Sequence, residues 1–504
     1  MRVFDAVVVG SGINSLACGA LLARGGWGVC VLERESVLGG AIRTEELTEP
    51  GFLHDTFSAW HPLWVGGAAH AELGEELADR GLEYLNTDLP TATAFPDGEA
   101  AFLLRSTDAN ADELGEEWRG VVESFLPNAD LAFGVLGTEL WSRAGLMLGV
   151  KALRRLGPRG FVEYAGGMLA TSRDWLEQTF ASERARGVLA PWVLHTGLGP
   201  DAAASGFMTQ VIAVAIQDGG MPIPRGGSAR LVDALVGLIR DRGGVVEARR
   251  DVELVLVEDG RAAGVRVADG EEVRAERAVI ANVTPTQLYG RLLRVPGPPR
   301  FRYGRGDMQI HLALSEPARW EGDERLSRTA IVHVTPGLDG VSRAVNEAER
   351  GLLPEEATIV VGQPLTIDRS RAPEGKGLLW IQLQELPRGH DWTEDERERY
   401  ADRIVARLAR HIPNLEASVL KRVVLSPADL ERANVNLVGG DPYSGALSLD
   451  QNFLWRPFAA RPGHATEIDG LWHIGASTHP GPGLGGGSGT LVARRLLRKG
   501  VLRR

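Results

Sequence analysis

The chain has 504 residues, 44% hydrophobic and 24% charged, with a formal net charge of −11. That length exceeds one core and points to two interleaved domains, the composition is that of a folded globular protein, and the acidic balance excludes a general nucleic-acid footprint. Only two cysteines occur, Cys18 and Cys30, which excludes a disulfide framework or a cysteine metal cluster and reads as two small buried apolar residues.

Val3 to Val9 is β-branched and apolar, and predicts a buried parallel strand. Asn14 to Arg24 is rich in Ala and Leu and predicts a helix that Gly25 and Gly26 stop. Val29 to Glu33 predicts the second strand of a βαβ unit. The chain enters this unit with no leader-like segment, and no apolar run reaches the ~18 residues of a spanning helix, so a cytoplasmic protein is expected. Gly10-Ser11-Gly12-Ile13-Asn14-Ser15 joins the first strand to the helix. The first glycine allows the tight turn and the second lets the backbone approach a pyrophosphate, which sits on the helix N-terminus. Ser15 replaces the third glycine of this fingerprint, whose role is close helix–strand packing. Glu33 ends the second strand, where an acid accepts hydrogen bonds from both ribose hydroxyls and repels a 2′-phosphate. The bland alternative is a structural glycine turn.

Residues 76–224 read as helical, with a long apolar helix from Leu131 to Leu156 ending in Lys151, Arg154 and Arg155. That helix either lies on a membrane or walls a substrate domain. Leu231 to Arg242 is a helix, and strands return at Val245–Glu247, Val252–Val257, Gly264–Val267 and Ala278–Ile280, with hairpin turns at Gly260 and Gly270. Residues 300–445 mix strands with a helix from Glu394 to His411, stopped by Pro413. Residues 471–498 read as strand, glycine turn and a helix from about Thr490. The basic run Arg494, Arg495, Arg498, Lys499, Arg503 and Arg504 offers anionic-lipid attraction or a solvated helix face. The expected architecture is α/β: a Rossmann-type nucleotide domain in discontinuous segments, 1–75, 225–300 and 446–504, with an inserted α+β substrate domain, 76–224 and 301–445.

The stretch Glu33-Arg34-Glu35-Ser36-Val37-Leu38-Gly39-Gly40-Ala41-Ile42-Arg43-Thr44 resembles the second FAD motif of the flavin amine oxidase and phytoene desaturase superfamily. The resemblance implies that Gly39, Gly40, Ala41 and Arg43 lie along the diphosphate and ribityl chain. Pro224-Arg225-Gly226-Gly227-Ser228 resembles a further block of that family, leading to a strand that touches adenine at the position of Val252, which equally reads as ordinary core. Gly475-Ala476-Ser477-Thr478-His479-Pro480-Gly481-Pro482-Gly483-Leu484-Gly485-Gly486-Gly487-Ser488-Gly489 resembles the closing motif of the phytoene desaturases and carotenoid isomerases. A helix N-terminus there suits the flavin edge that gains negative charge on reduction. Ala476 stands where amine oxidases commonly carry an acid, which favours the desaturase-like branch.

The cofactor set so implied is Gly10, Ser11, Gly12, Ile13, Asn14, Glu33, Arg34, Gly39, Gly40, Ala41, Arg43, Val252, Gly475, Ala476, Gly483 and Leu484, around non-covalent FAD. The implied reaction, that of the phytoene dehydrogenase-like oxidoreductases, is hydride removal from a C–H bond of a small, largely apolar organic molecule. Amine oxidation, double-bond isomerisation and a flavin-free binding protein resembling the Rab GDP dissociation inhibitors are the alternatives. No second dinucleotide unit is visible, so electrons are expected to pass to dioxygen, a quinone or another carrier rather than to tightly held NAD(P)H. No metal-ligand spacing occurs among the 11 histidines. His479, beside the expected flavin edge, either orients the ring or shuttles a proton, or only caps the turn. His61, in Trp60-His61-Pro62, either faces the site or is structural.

Overall fold

The computed structural model describes residues 2–297 and 301–501; Arg503 and Arg504 of the basic run lie outside them. In chain order the elements that build the site are β1 (Arg2–Val9), α1 (Ile13–Arg24), β2 (Val29–Leu32), β3 (Thr91–Ala94), β4 (Ala100–Leu103), α2 (Ala129–Gly137) and α3 (Arg143–Leu169). There follow α4 (Ser205–Gly219), α5 (Ala229–Asp241), β5 (Val245–Glu247), β6 (Val252–Glu258), β7 (Arg261–Val267) and β8 (Glu272–Asn282). The rest are β9 (Gly306–Leu314), β10 (Ile331–Val334), β11 (Ile359–Gly362), β12 (Gly377–Leu386), α6 (Glu394–Ala409), β13 (Val419–Leu425), β14 (Leu471–Ile474) and α7 (Gly487–Val501).

The parallel strands of the first sheet lie in the order β5-β2-β1-β8-β14, the Rossmann order of two βαβ halves meeting between β1 and β8. Both faces are covered, which is why β1 and β2 are continuous apolar runs rather than alternating ones. On one face Leu16 and Leu21 of α1 pack with Leu231 and Leu235 of α5 and Val492 and Leu496 of α7. On the other, Val7, Val9 and Leu32 pack with Val255 and Val265 of the antiparallel β6–β7 hairpin. Burial holds the thiols of Cys18 and Cys30 protonated, pushed up to about 12.

The second sheet runs β13-β9-β12-β11-β10-β3-β4. Here the period-2 pattern is plain. Met308, Ile310 and Leu312 of β9 and Leu379, Ile381 and Leu383 of β12 pack against Tyr400, Ile404 and Leu408 of α6. The alternate residues Asp307, Gln309, Trp380, Gln382 and Gln384 line a cavity on the opposite face.

Two expectations for residues 76–224 are corrected. The segment is not helical throughout, because Thr91-Ala92-Thr93-Ala94 alternates and pairs with β10 as a parallel strand. Nor is Leu131 to Leu156 one helix. Ser142 caps a new start, accepting from the Gly145 N–H at 3.2 Å, and the chain doubles back as an α2–α3 hairpin. Two of the three basic residues read as a helix end clamp that hairpin: Lys151 and Arg155 each reach Asp130 at 2.5 Å. The second helix runs on past a kink at Gly157 (φ +69°), before Pro158. The closing helix starts at Gly487 rather than about Thr490. No helix among the described residues is long and apolar enough to cross a membrane.

Candidate functional site

A cavity of about 1320 Å³ opens at the carboxyl ends of β1 and β8, where the strand order reverses, and extends to the second sheet. It is larger than the ~300–1,000 Å³ of an ordinary ligand site, with room for a dinucleotide and a second molecule. Gly10 has φ +86°, and Gly12 caps the N-terminus of α1. Gly40 (φ +61°) comes so close that an added Cβ would lie 3.2 Å from Gly12 Cα. The two glycine motifs of the first 40 residues are thus one cradle.

Glu33 holds that cradle from behind. Its Oε2 accepts from the Ser11 N–H at 2.8 Å and from the Ser11 hydroxyl at 2.7 Å, and its Oε1 accepts from the Glu35 N–H at 2.9 Å. Ser11 Oγ in turn accepts from the Gly39 N–H at 2.9 Å. Three acceptor positions of the carboxylate are therefore committed, which leaves about one, not two, for a ligand hydroxyl. Arg34 pairs with Glu35 at 3.1 Å. Arg43 lies over the Phe57 ring, 5.6 Å from its centroid, with its Nε buried and unpaired. Ile13, Asn14, Ala41 and Val252 also line the cavity.

The closing segment meets the opening one through Asn282, at the end of β8. Its amide donates to Ser15 Oγ at 2.9 Å. Gly475 (φ +113°) packs so tightly on it that a Cβ would lie 2.4 Å from Asn282 Oδ1. The serine out of pattern thus has a partner that a glycine could not serve. Asn14 Oδ1 accepts from the Gly489 N–H at 3.2 Å, and the Gly475 N–H donates to Ser488 Oγ at 2.7 Å, so α1, β14 and α7 are tied at the cavity edge. Gly475, Ala476, Gly483 and Leu484 line it, Leu484 with φ +58°. The Ala476 carbonyl accepts from Arg456 at 2.6 and 3.0 Å. Burial lowers this fully enclosed guanidinium to about 10, with Asp441 opposing.

The 224–228 block is fixed from a distance. Arg371, fully buried, pairs with Asp55 and with Asp368 at 3.2 Å. Asp55 accepts from the Ser228 N–H at 2.9 Å and Asp368 from the Gly226 N–H at 2.7 Å.

Neither histidine singled out from the sequence is among the lining residues. His61 Nδ1 meets Tyr84 Oη at 3.0 Å and is held neutral by burial, its pKa lowered to about 4. His479 presents its backbone carbonyl to His464 Nε2 at 2.7 Å, and burial lowers its ring to about 4 as well. The cavity's floor and far wall hold residues that sequence reasoning did not single out: Asp307, Gln309, Gln382 and Gln384 from β9 and β12, with Trp60, Trp192, Trp380 and Tyr443. Burial raises Asp307 well above the usual carboxylate range. The alternation of polar residues along two otherwise apolar strands was the available signal.

The model of one protein family, the flavin containing amine oxidoreductases, matches residues 16–428. Among curated relatives, mouse (Mus musculus) pyridine nucleotide-disulfide oxidoreductase domain-containing protein 2 is 28% identical over 98% of this chain and 93% of its own length. The neurosporene-forming phytoene desaturase of Rhodobacter capsulatus is 25% identical over 97% and 93%. Among solved structures, a putrescine oxidase variant superposes with a TM-score of 0.64 at 16% identity, covering 100% of both chains.

Proposed function

The chain belongs to the flavin-containing amine oxidoreductase family and is an FAD-dependent oxidoreductase, and from that premise we propose that it holds FAD non-covalently and removes hydride from a C–H bond of a small, largely apolar organic substrate. The observation that carries this reading is one cavity whose glycine cradle is continuous with a large, mainly apolar chamber. The residues fit the cofactor. Gly10, Gly12, Gly39 and Gly40 leave a backbone cradle that Cβ atoms would crowd, and Arg43 Nε is buried without a partner beside it. In this reading Ser11, Ile13, Asn14 and Ala41 complete the diphosphate cradle with Arg34 at its rim, Glu33 takes a ribose hydroxyl and Val252 flanks the adenine. Gly475, Ala476, Gly483 and Leu484 meet the ring edge. When bound, FAD supplies the two-electron acceptor. Cys18 and Cys30 are buried away from the cavity, which supports attachment without a cysteinyl link.

The chain's own work is then positioning and exclusion of water, which hydride transfer uses most. His61 and His479 are assigned no proton transfer, because their rings lie off the cavity. Dioxygen, a quinone or another carrier is the proposed electron acceptor. The resemblance to desaturases at Ala476 favours carbon–carbon over carbon–nitrogen oxidation. The test is the visible spectrum of the purified protein before and after acid precipitation. Flavin released to the supernatant is the expected result, and a protein that stays colourless with added FAD overturns the reading. Bleaching under anaerobic substrate marks oxidation; turnover without bleaching marks the isomerase alternative.

A specific surface supports delivery of a lipophilic substrate by peripheral membrane contact. Leu126 and Phe133 are exposed yet also line the cavity, and Leu146, Met147 and Val162 of α3 are exposed apolar residues as well. Co-sedimentation with anionic vesicles, lost in a Leu146→Glu, Met147→Glu double variant, is the expected behaviour. Equal sedimentation of both proteins refutes it.

A further inference from the structure

The flavin reading leaves a cluster on the cavity floor unused. Asp307, Gln309 and Gln384 stand on the face of the β9–β12 pair that lines the cavity. Each carries one buried oxygen without a hydrogen-bond partner: Asp307 Oδ1, Gln309 Oε1 and Gln384 Oε1.

Partner chemistry dictates which atom is left over. Gln309 Nε2 donates to the Phe57 carbonyl at 3.4 Å, so its oxygen is the free end. Tyr443 Oη gives its single proton to the Leu194 carbonyl at 2.6 Å, so toward Gln384 it can only accept. Gln384 therefore offers it Nε2, at 3.0 Å, and keeps its oxygen. Asp307 Oδ2 takes the amide of Gln382. Every amide N–H bond these groups make goes to the protein, and three unpaired oxygens remain, with Asp307 Oδ1 an acceptor once its carboxyl is ionised. Buried acceptors are rarely left unpaired in folded proteins, and a cluster of three on a cavity wall calls for a donor from outside.

We propose that Asp307, Gln309 and Gln384 form a subsite for a hydrogen-bond-donating head group of the substrate, an ammonium or a hydroxyl. The inference rests on the reading of this cavity as the substrate chamber of an oxidoreductase. It sets a requirement which an all-hydrocarbon substrate does not meet. The two head groups differ in what else they can use. Trp60, Trp192 and Trp380 line the same chamber with buried, unpaired indole N–H groups, which a hydroxyl can satisfy and an ammonium cannot. An ammonium instead gains the Asp307 carboxylate: burial favours the protonated carboxyl, and a cation beside it stabilises the ionised form and so displaces that proton.

The test is calorimetric titration of the FAD-loaded protein with hexylamine, 1-hexanol and hexyl methyl ether, which share a chain but not a donor. The subsite predicts that the amine or the alcohol binds about ten-fold tighter than the ether. Asp307→Asn retains an oxygen for the Gln382 amide and turns the free oxygen into an N–H. It should weaken hexylamine about ten-fold and leave hexanol, which can accept, close to wild type. Gln309→Leu should weaken either donor without changing the ether. A purely structural Asp307 would instead lower the melting temperature in Asp307→Asn with no change in ligand preference. Equal affinities of all three ligands in the wild type, no binding of either donor, or donor preference intact in both variants overturns the proposal. If Asp307→Asn fails to fold, judged by near-ultraviolet circular dichroism, Gln309→Leu decides. A colourless protein that still prefers a donor defeats the flavin reading alone, and a flavin-loaded protein without that preference defeats the subsite alone.

Discussion

Glu33→Gln distinguishes an acid that only greets the ribose from one that also builds the cradle. The carboxylate receives three bonds from the protein, two at Oε2 from Ser11 and one at Oε1 from Glu35. Glutamine keeps the shape but has one oxygen. If that oxygen faces Ser11, both bonds lose their charge and fall from about 2 to about 1 kcal/mol each. Its Nε2 then meets the Glu35 N–H, donor against donor, at a further cost of about 1–3 kcal/mol. The reverse placement sets the amide against the Ser11 N–H instead, while the Ser11 hydroxyl can turn to accept, at a similar cost. The variant should lose about 3–5 kcal/mol in the flavin-free protein, lowering its melting temperature by about 5 °C. FAD affinity, read by quenching of flavin fluorescence on titration, should fall more than about ten-fold, because the Ser11–Gly39 link that aligns the two glycine motifs loosens with it. A variant that melts like the wild type when flavin-free, and differs only in FAD affinity, would refute the structural half of this reasoning.

Gly475→Ala should fold but retain little flavin, since its Cβ has no room against Asn282 and its φ of +113° is strained for alanine; flavin-to-protein ratio after gel filtration checks it. Arg371→Met leaves two buried carboxylates, Asp55 and Asp368, without their cation and should destabilise by about 3–5 kcal/mol. Adding Asp55→Asn should recover part of that loss, as measured by thermal unfolding. Stability should fall in acid from below about pH 6. His54, His61 and His479 are lowered to about 4 and His195 to about 3 by burial. The unfolded chain therefore binds more protons than the folded one between the ordinary histidine value and those depressed values. Each such histidine withdraws ~1 kcal/mol per pH unit in that window, and the loss levels off below it. Melting temperature flat between pH 7 and about 4 would refute it.

What was legible in the sequence was local. Gly10, Gly12 and Glu33 announce themselves because strand, turn, helix and acid follow one another at fixed spacing, and the glycine run from 475 to 489 because so dense a turn feeds a helix. The helix broken at Ser142 was missed because apolar residues continue through the turn on both sides, and only the cap and the Asp130 clamp reveal the reversal. Arg371, 316 residues from Asp55, carries no local signal at all. The polar face of β9 and β12 was present as alternation, but one face of a sheet looks like solvent until the fold shows it to be a cavity wall.

Ser15 is where motif matching and physical reading disagree most usefully. A consensus argument holds that Ser15→Gly restores the fingerprint and should improve flavin binding. In the structure Ser15 is fully buried and its hydroxyl is the acceptor for the Asn282 amide at 2.9 Å. Removing it orphans a buried donor, about 1–3 kcal/mol, and puts a glycine inside α1, about 1 kcal/mol. It also frees the one side chain on which both Gly12 and Gly475 pack, so the opening and closing motifs lose their common reference. Ser15→Gly should therefore weaken FAD binding. In a double-mutant cycle with Asn282→Ala, the joint loss should be smaller than the two separate losses added together by about 1 kcal/mol or more. Additive losses would mean that the two residues act independently, and a tighter-binding Ser15→Gly would mean that the glycine's packing role outweighs the hydrogen bond after all.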